Sequence, residues 1–425
     1  MDKIYEKYMS MGITTMFKRI WLCIILFGFI FELPVVSVLT TRKIAAIVMV
    51  GHLIIYNKRS RIMWRKCKMT YILSPLYLWL IPFLFLLVNS AFVEKSSGMA
   101  YFEPYYFFYL IGYVPLFAFY SICVFENVKQ FAQTYISIMV FQSCIVYLSA
   151  VNTSFRLFIY KSFYFGDSRF DRTIVFGTRI MGIGLVAAIG SITMACALFL
   201  LVYLVRNEQI NSLSFAIQFI FVLGATALVG RTGFYIGCGL LLYVLFMMKG
   251  MCKKFSILVI GLLLVPVGVI SLRERININV FNSIMSWIGE IFNADTRYNT
   301  ITILNEMKIP ELTWETFLGT GVQMGVSGSG ARCYHDSGYV MTYFALGLLG
   351  ATIFYWAVIW MYSRCLKIQN HSNKLFFLLM ILVMLIIEIK EPFILKYVYS
   401  YVLLTMMLFV IKEDKVKEKI KWEHM

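Results

Sequence analysis

A chain of 425 residues that is 60% hydrophobic and only 14% charged, with a mean hydropathy of +0.77, has too much apolar surface to hide in a water-soluble core. It reads as a polytopic membrane protein, so its net charge of +17 is assigned to the positive-inside bias and nucleic acid is excluded as a partner. The first apolar run, Trp21 to Val38, ends in Val-Leu-Thr-Thr-Arg and not in a small-residue cleavage site, and is taken as a retained span.

About 20 mostly apolar residues cross a bilayer. On that basis spans are predicted at 20–39, 43–57, 71–92, 105–125, 133–151, 181–205, 212–229, 232–248, 255–272, 338–362, 375–389 and 393–411. The second is the weakest, its uninterrupted apolar core running only from Ile44 to Tyr56. The expected fold class is an all-α polytopic membrane protein of about 12 transmembrane helices. Residues 1–272 hold nine of them, with a basic, aromatic outer loop at 152–180. A large extracytoplasmic loop at 273–337, three further spans at 338–411 and a basic cytoplasmic tail at 412–425 complete the chain. With both termini inside, the cytoplasmic segments hold 23 Lys and Arg and a net +15, against +2 for everything else, as the positive-inside rule requires. The cluster Lys58, Arg59, Arg61, Arg65, Lys66 and Lys68 is the strongest single anchor.

The loop at 273–337 is too long for a simple connection. Val280, Phe281, Ile284, Trp287, Ile288, Ile291 and Phe292 recur at helical spacing and predict an amphipathic helix on the outer membrane surface. Asp295 is placed to cap a second helix that Pro310 ends, and Gly319-Thr320-Gly321 and the Gly-Ser run at 325–330 read as flexible backbone. Of the nine cysteines only Cys333 falls outside, so no intrachain structural disulfide is expected. His52, His335, His371 and His424 are scattered, with no Cys or His pair at ligand spacing, no Asp-x-Asp and no phosphate-binding Gly-rich loop. No metal and no cofactor is expected.

The chemistry sits on the outer side. Loop 152–179 carries Arg156, Lys161, Arg169, Arg172 and Arg179 among Phe163, Tyr164, Phe165, Phe170 and Phe176. Guanidinium groups bind phosphate oxygens bidentately, which suits an anionic headgroup or a pyrophosphate; the alternative is an interfacial helix using basic and aromatic residues as anchors. Arg231, in Gly230-Arg231-Thr232-Gly233, falls between two spans with almost no loop, and either faces a polar cavity or snorkels to the lipid boundary. The cavity is favoured because flanking glycines bring backbones close. In Arg332-Cys333-Tyr334-His335-Asp336-Ser337-Gly338-Tyr339, Asp336 or Ser337 is positioned to cap the next span. His335 is placed at the outer aqueous boundary, able to take a proton from an attacking hydroxyl.

This ordered series resembles the O-antigen polymerase and O-antigen ligase superfamily of bacterial envelope enzymes. The resemblance rests on the Arg231 turn, Asp295-Thr296-Arg297-Tyr298, Phe317-Leu318-Gly319-Thr320-Gly321, His335-Asp336-Ser337-Gly338-Tyr339 and Leu346-Gly347-Leu348-Leu349-Gly350, and covers mainly residues 165–355. It implies a GT-C-like, metal-independent glycosyltransferase that polymerises lipid-linked repeat units at the outer face of the bacterial cytoplasmic (inner) membrane. Its partners would be undecaprenyl-pyrophosphate-linked donor and acceptor glycans, membrane lipids and a chain-length regulator. By the same resemblance Arg231 and one or more of Arg169, Arg172 and Arg179 would hold the pyrophosphate, Arg297 would order the loop or bind phosphate, and His335 or Asp336 would act as base. Asp336 stands where ligases of the superfamily carry asparagine, which leans toward the polymerase. The alternatives are the ligase, or a lipid-linked oligosaccharide flippase or other transporter.

Overall fold

The computed structural model describes residues 19–36, 39–84, 109–163, 180, 182–184, 187–247, 307–321, 335, 337–368, 371–390, 392–396 and 398–423. Among them the chain is helical apart from one small antiparallel hairpin, Pro34–Val36 with Leu39–Thr40. Four helices are long and apolar enough to cross a membrane: Val128–Val151, Ala188–Arg206, Ser212–Val229 and Gly338–Arg364. The pair Asn57–Lys66 and Met69–Leu84, bent by 64°, makes a fifth if it forms one span. This is a multi-pass membrane protein. Contacts divide it into two compact units, residues 1–55 with 129–285 and residues 56–128 with 286–425.

In the first unit the predicted span 20–39 is helical only over Arg19–Phe31. The chain then turns at Glu32, whose φ is +43°, and Pro34 opens the hairpin. Proline has no N–H to continue a helix, so an apolar run is not by itself a span. Arg42, at 4% exposure, secures the turn: it donates to the carbonyls of Phe29 (2.8 Å) and Ile30 (3.2 Å) and ion-pairs with Glu32. A cation on the last carbonyls of a helix satisfies acceptors that have no intrahelical donor. Deeper in the unit, Tyr135 donates to Thr193 O (3.0 Å) and Tyr147 to Phe221 O (2.9 Å), so both phenols tie the Val128–Val151 helix to neighbouring helices.

The second unit is held by similar end-on contacts. Trp79 donates to Phe354 O (3.1 Å) while their rings stack at 5.5 Å. Arg364 lies over the rings of Tyr71 (4.5 Å) and Trp360 (4.2 Å) and donates to Tyr71 O (2.7 Å), bracing the bent pair against the Gly338–Ile368 helix. The Tyr399–Glu423 helix packs along Val114–Val124. There Lys412 donates to the carbonyls of Ile122, Phe125 and Glu126, and Glu413 accepts from Val128 N–H at 3.3 Å. Each charge opposes the helix end it touches, a cation on the C-terminus of one helix and a carboxylate on the N-terminus of the next.

Candidate functional site

In the first unit the basic loop predicted to be outer opens with a helix, Thr153–Phe163, started by Asn152 Oδ1 accepting from Phe155 N–H at 3.0 Å. Its Ile159 packs with Ile145 and Ile183, flanked by Phe155 and Phe163, so these two aromatics of the loop serve packing. Arg156 is 3% exposed and donates to Ser149 O (2.9 Å) and Ala150 O (3.4 Å), closing the end of the preceding helix. Burial draws its pKa down from the ordinary arginine value, and the carbonyl contacts are what hold the charge. One of the five predicted outer cations is thus committed to structure. Arg169, Arg172 and Arg179 lie outside the described residues. The chain returns at Ile180, whose N–H donates to Leu228 O at 2.9 Å. Buried Gln142 then grips Ile183 on both sides, accepting from its N–H at 3.1 Å and donating to its carbonyl at 3.3 Å.

Leu228 leads directly to the arginine turn. The Ser212–Val229 helix ends at Gly230, whose N–H donates to Thr226 O (2.9 Å) and whose backbone is extended, a shape any residue adopts. Arg231 is the first residue of the Arg231–Met247 helix and is half-buried, so it stands at an apex between two helices and adjoins a helix N-terminus that adds partial positive charge. The close approach occurs two residues on. A Cβ at Gly233 would lie 2.1 Å from Ser191 O, and Gly233 N–H donates to Ser191 Oγ at 3.2 Å. Glycine is required there because helix backbones touch.

In the second unit, His335 is 6% exposed, although its sequence position suggested the aqueous boundary. The ring turns back on its own chain: Nδ1 accepts from Ser337 N–H at 3.0 Å. A neutral ring in this pose carries its proton on Nε2. Ser337 occupies the N-cap position, its carbonyl accepting from Met341 N–H at 2.9 Å. Asp336 and Arg297 lie outside the described residues, as do the predicted surface helix at 280–292 and the Gly-Ser run.

Beneath the motif is a residue to which the sequence reading gave no role. Glu388 is fully buried at the end of the His371–Glu388 helix. Its Oε2 accepts from Phe393 N–H (2.6 Å) and Ile394 N–H (2.8 Å), and Oε1 accepts from Tyr355 OH (2.9 Å), which also meets Thr342 Oγ1 at 3.2 Å. A Cβ on Gly338 would fall 2.4 Å from Glu388 Oε1 and 2.6 Å from Pro392 Cα. Tyr339 donates to Leu385 O (2.9 Å) and packs on the Tyr355 ring at 4.7 Å. The available signal was one acid in Ile386-Ile387-Glu388-Ile389 before Pro392.

Two further motifs, far apart in sequence, meet in this unit. A capping box between Thr313 and Thr316 opens the short Trp314–Leu318 helix, after which Gly319 turns at φ +100°. Thr320 donates through N–H (3.0 Å) and Oγ1 (2.8 Å) to Phe344 O, and Gly321 N–H donates to Ala345 O at 3.0 Å. Those carbonyls are available because the Gly338–Ile368 helix breaks at Gly347, with φ +75° and ψ 169°. A Cβ there would lie 2.4 Å from Gly319 N. The stretch 319–321, expected to be flexible, is a strap paired to a broken helix. His335 thus precedes a half-helix, Gly338 to about Leu346, that rests on the Glu388 turn at one end and on the strap at the other.

No protein-family model matches the chain, and no curated protein matches it. Among the described residues no three His, Cys, Asp or Glu side chains gather as a metal site would. Arg231 belongs to the first compact unit and His335 to the second.

Proposed function

We propose that the protein is a metal-independent glycosyltransferase of twelve spans and GT-C-like architecture, with both termini cytoplasmic. It polymerises undecaprenyl-pyrophosphate-linked repeat units at the outer face of the cytoplasmic membrane. The observation that carries the reading is the Ile180 N–H bond to Leu228 O, which ties the residue after Arg179 to the last turn of the helix that precedes Arg231. The point where the chain returns from the basic loop and a half-buried arginine at a helix N-terminus then share one end of one unit. That is a setting for a pyrophosphate leaving group, whose developing charge guanidiniums and backbone dipoles stabilise without a metal. In this reading Arg231 binds the pyrophosphate with Arg169, Arg172 or Arg179, and Arg297 contributes from the large loop. His335 Nε2 or Asp336 serves the acceptor hydroxyl; a neutral His335 ring, protonated on Nε2, orients that hydroxyl and becomes its base only after a change of tautomer.

The test is the length distribution of surface glycan in a strain lacking the chain, complemented with variants verified in the membrane. Loss of the ladder with single repeat units still attached to the acceptor is expected. Arg231→Ala is expected not to restore the ladder, and Arg156→Lys, at a residue engaged with carbonyls of its own unit, is expected to restore it. Loss of all surface glycan in the deletion strain would point to a ligase or flippase, and a normal ladder with Arg231→Ala would remove that residue from the site.

A further inference from the structure

The segment that leads into the strap, residues 308–318, exposes a group of large apolar side chains. Trp314 is 81% exposed, Ile309 65%, Leu312 64% and Leu318 44%, interleaved with exposed Lys308, Glu311 and Glu315. In an aqueous loop such a group is an unexplained cost. Its height on the helix accounts for it. Arg364 marks one end of the Gly338–Arg364 span, and a hydrocarbon core of ~30 Å takes about 20 residues at ~1.5 Å each. From Arg364 back to the break at Gly347 the helix rises ~25 Å, most of that thickness, and three residues beyond the break is Phe344, whose carbonyl Thr320 holds. The strap is therefore held at the level where a hydrocarbon core measured from Arg364 would end. Leu348 and Leu349, each 42% exposed on the same helix just past the break, carry the apolar surface into the bilayer.

We propose that residues 308–318 are seated in the boundary between headgroups and acyl chains of the leaflet on the Gly338 side, with Trp314, Leu312, Ile309 and Leu318 buried in lipid. Mixed charge and large apolar groups on one short segment, with a tryptophan among them, match the chemistry of that boundary, where an indole has its ring in hydrocarbon and its N–H among headgroups. The occupant is bilayer lipid, because the segment adjoins the exposed face of a membrane helix at the depth where the bilayer ends. The consequence is mechanical. The last part of the large loop is an in-plane anchor, and through Thr320 and Gly321 it fixes the half-helix that His335 precedes. This inference is independent of the glycosyltransferase reading.

The experiment uses the full chain reconstituted in phosphatidylcholine vesicles with and without lipid brominated near the top of the acyl chain, compared with Trp314→Phe. The chain has eight tryptophans, so the Trp314 contribution is the difference between the two proteins. Brominated lipid is expected to remove most of that contribution and aqueous acrylamide little of it. The reverse pattern would overturn the proposal in favour of a solvated loop, and insensitivity to both quenchers would overturn it in favour of a protein-covered surface. Should Trp314→Phe not accumulate, Leu312→Trp in the native chain supplies an added tryptophan on the same face. The added emission is expected to be quenched by brominated lipid, and its survival would equally sink the proposal.

Discussion

Glu388 shows how a buried carboxyl group in a membrane protein is made tolerable at the level of one residue. Acceptor oxygens removed from water need donors, and those of Glu388 receive two backbone N–H groups and a phenol. Its position also dictates a neighbour: Gly338 touches it closely enough that any Cβ collides with the carboxylate or with the Pro392 backbone, neither of which has room to move. Gly338→Ala is therefore expected to lower stability by about 1–3 kcal/mol through overpacking. Glu388→Ala is expected to cost about 3 kcal/mol or more, because three buried donors lose their acceptor together. Glu388→Gln, which keeps one carbonyl oxygen in place, is expected to lose less than Glu388→Ala. Thermal unfolding of the purified protein in detergent ranks the three, and equal midpoints for Glu388→Ala and the native chain would refute the account. None of this was legible in the sequence, where Glu388 was one acid among several near helix ends. The contact that gives it meaning joins residues fifty positions apart, and no local pattern encodes it. His335 was legible as a chemical exception, yet its burial was not, because the bond from Ser337 N–H depends on how the chain folds back before the helix.

At the scale of elements, the sequence speaks clearly where local chemistry agrees with hydropathy. Ser212–Val229 was readable to the residue: Asn211 Oδ1 accepts from Ser214 N–H at 2.7 Å at one end, and glycine marks the other. Arg19–Phe31 was not, since averaging hydropathy over 20 or so residues passes across Pro34 and cannot register that Arg42 holds the carbonyls of Phe29 and Ile30. The broken helix belongs to the same class of hidden feature. Gly347 and Gly350 look alike in Leu-Gly-Leu-Leu-Gly, but only Gly347 has a positive φ, in a region of backbone space essentially closed to other residues. Its Cβ would also meet the Leu318 and Gly319 backbone at 2.4 Å, whereas one on Gly350 would meet Leu346 Cβ at 3.0 Å and Pro82 Cβ at 3.5 Å. Gly347→Ala is expected to cost several times what Gly350→Ala does, with about 1–3 kcal/mol from strain alone. It is also expected to release the strap, so limited proteolysis between Lys308 and Gly321 should accelerate in Gly347→Ala and stay at the native rate in Gly350→Ala. Similar cleavage in both variants would mean that the strap does not depend on the break.

At the scale of the whole molecule, the proposed sidedness rests on charge. In the twelve-span arrangement a basic excess of +15 on one set of segments against +2 elsewhere would put both termini in the cytoplasm, and the cations from Lys58 to Lys66 lie on a helix that bends away from the next at Cys67 and Lys68. A sharp bend beside six cations is what a chain does when it meets an interface and turns back into lipid. The distribution of cysteine converts this into a measurement. In the twelve-span arrangement Cys333 alone is extracytoplasmic, while Cys252 and Cys365 are cytoplasmic and Cys67 is buried. A membrane-impermeant maleimide applied to right-side-out vesicles is expected to label the native chain once and to leave Cys333→Ser unlabelled. In inverted vesicles the label is expected on Cys252 and Cys365 instead, and the double serine variant should remove it. Labelling of Cys252 from the outside would reverse the orientation of the ninth predicted span, and with it the side on which the loop leading to His335 emerges. Thiol labelling thus tests the premise on which a pyrophosphate-handling site depends, since a lipid-linked glycan that has already been flipped is presented on the outer face alone.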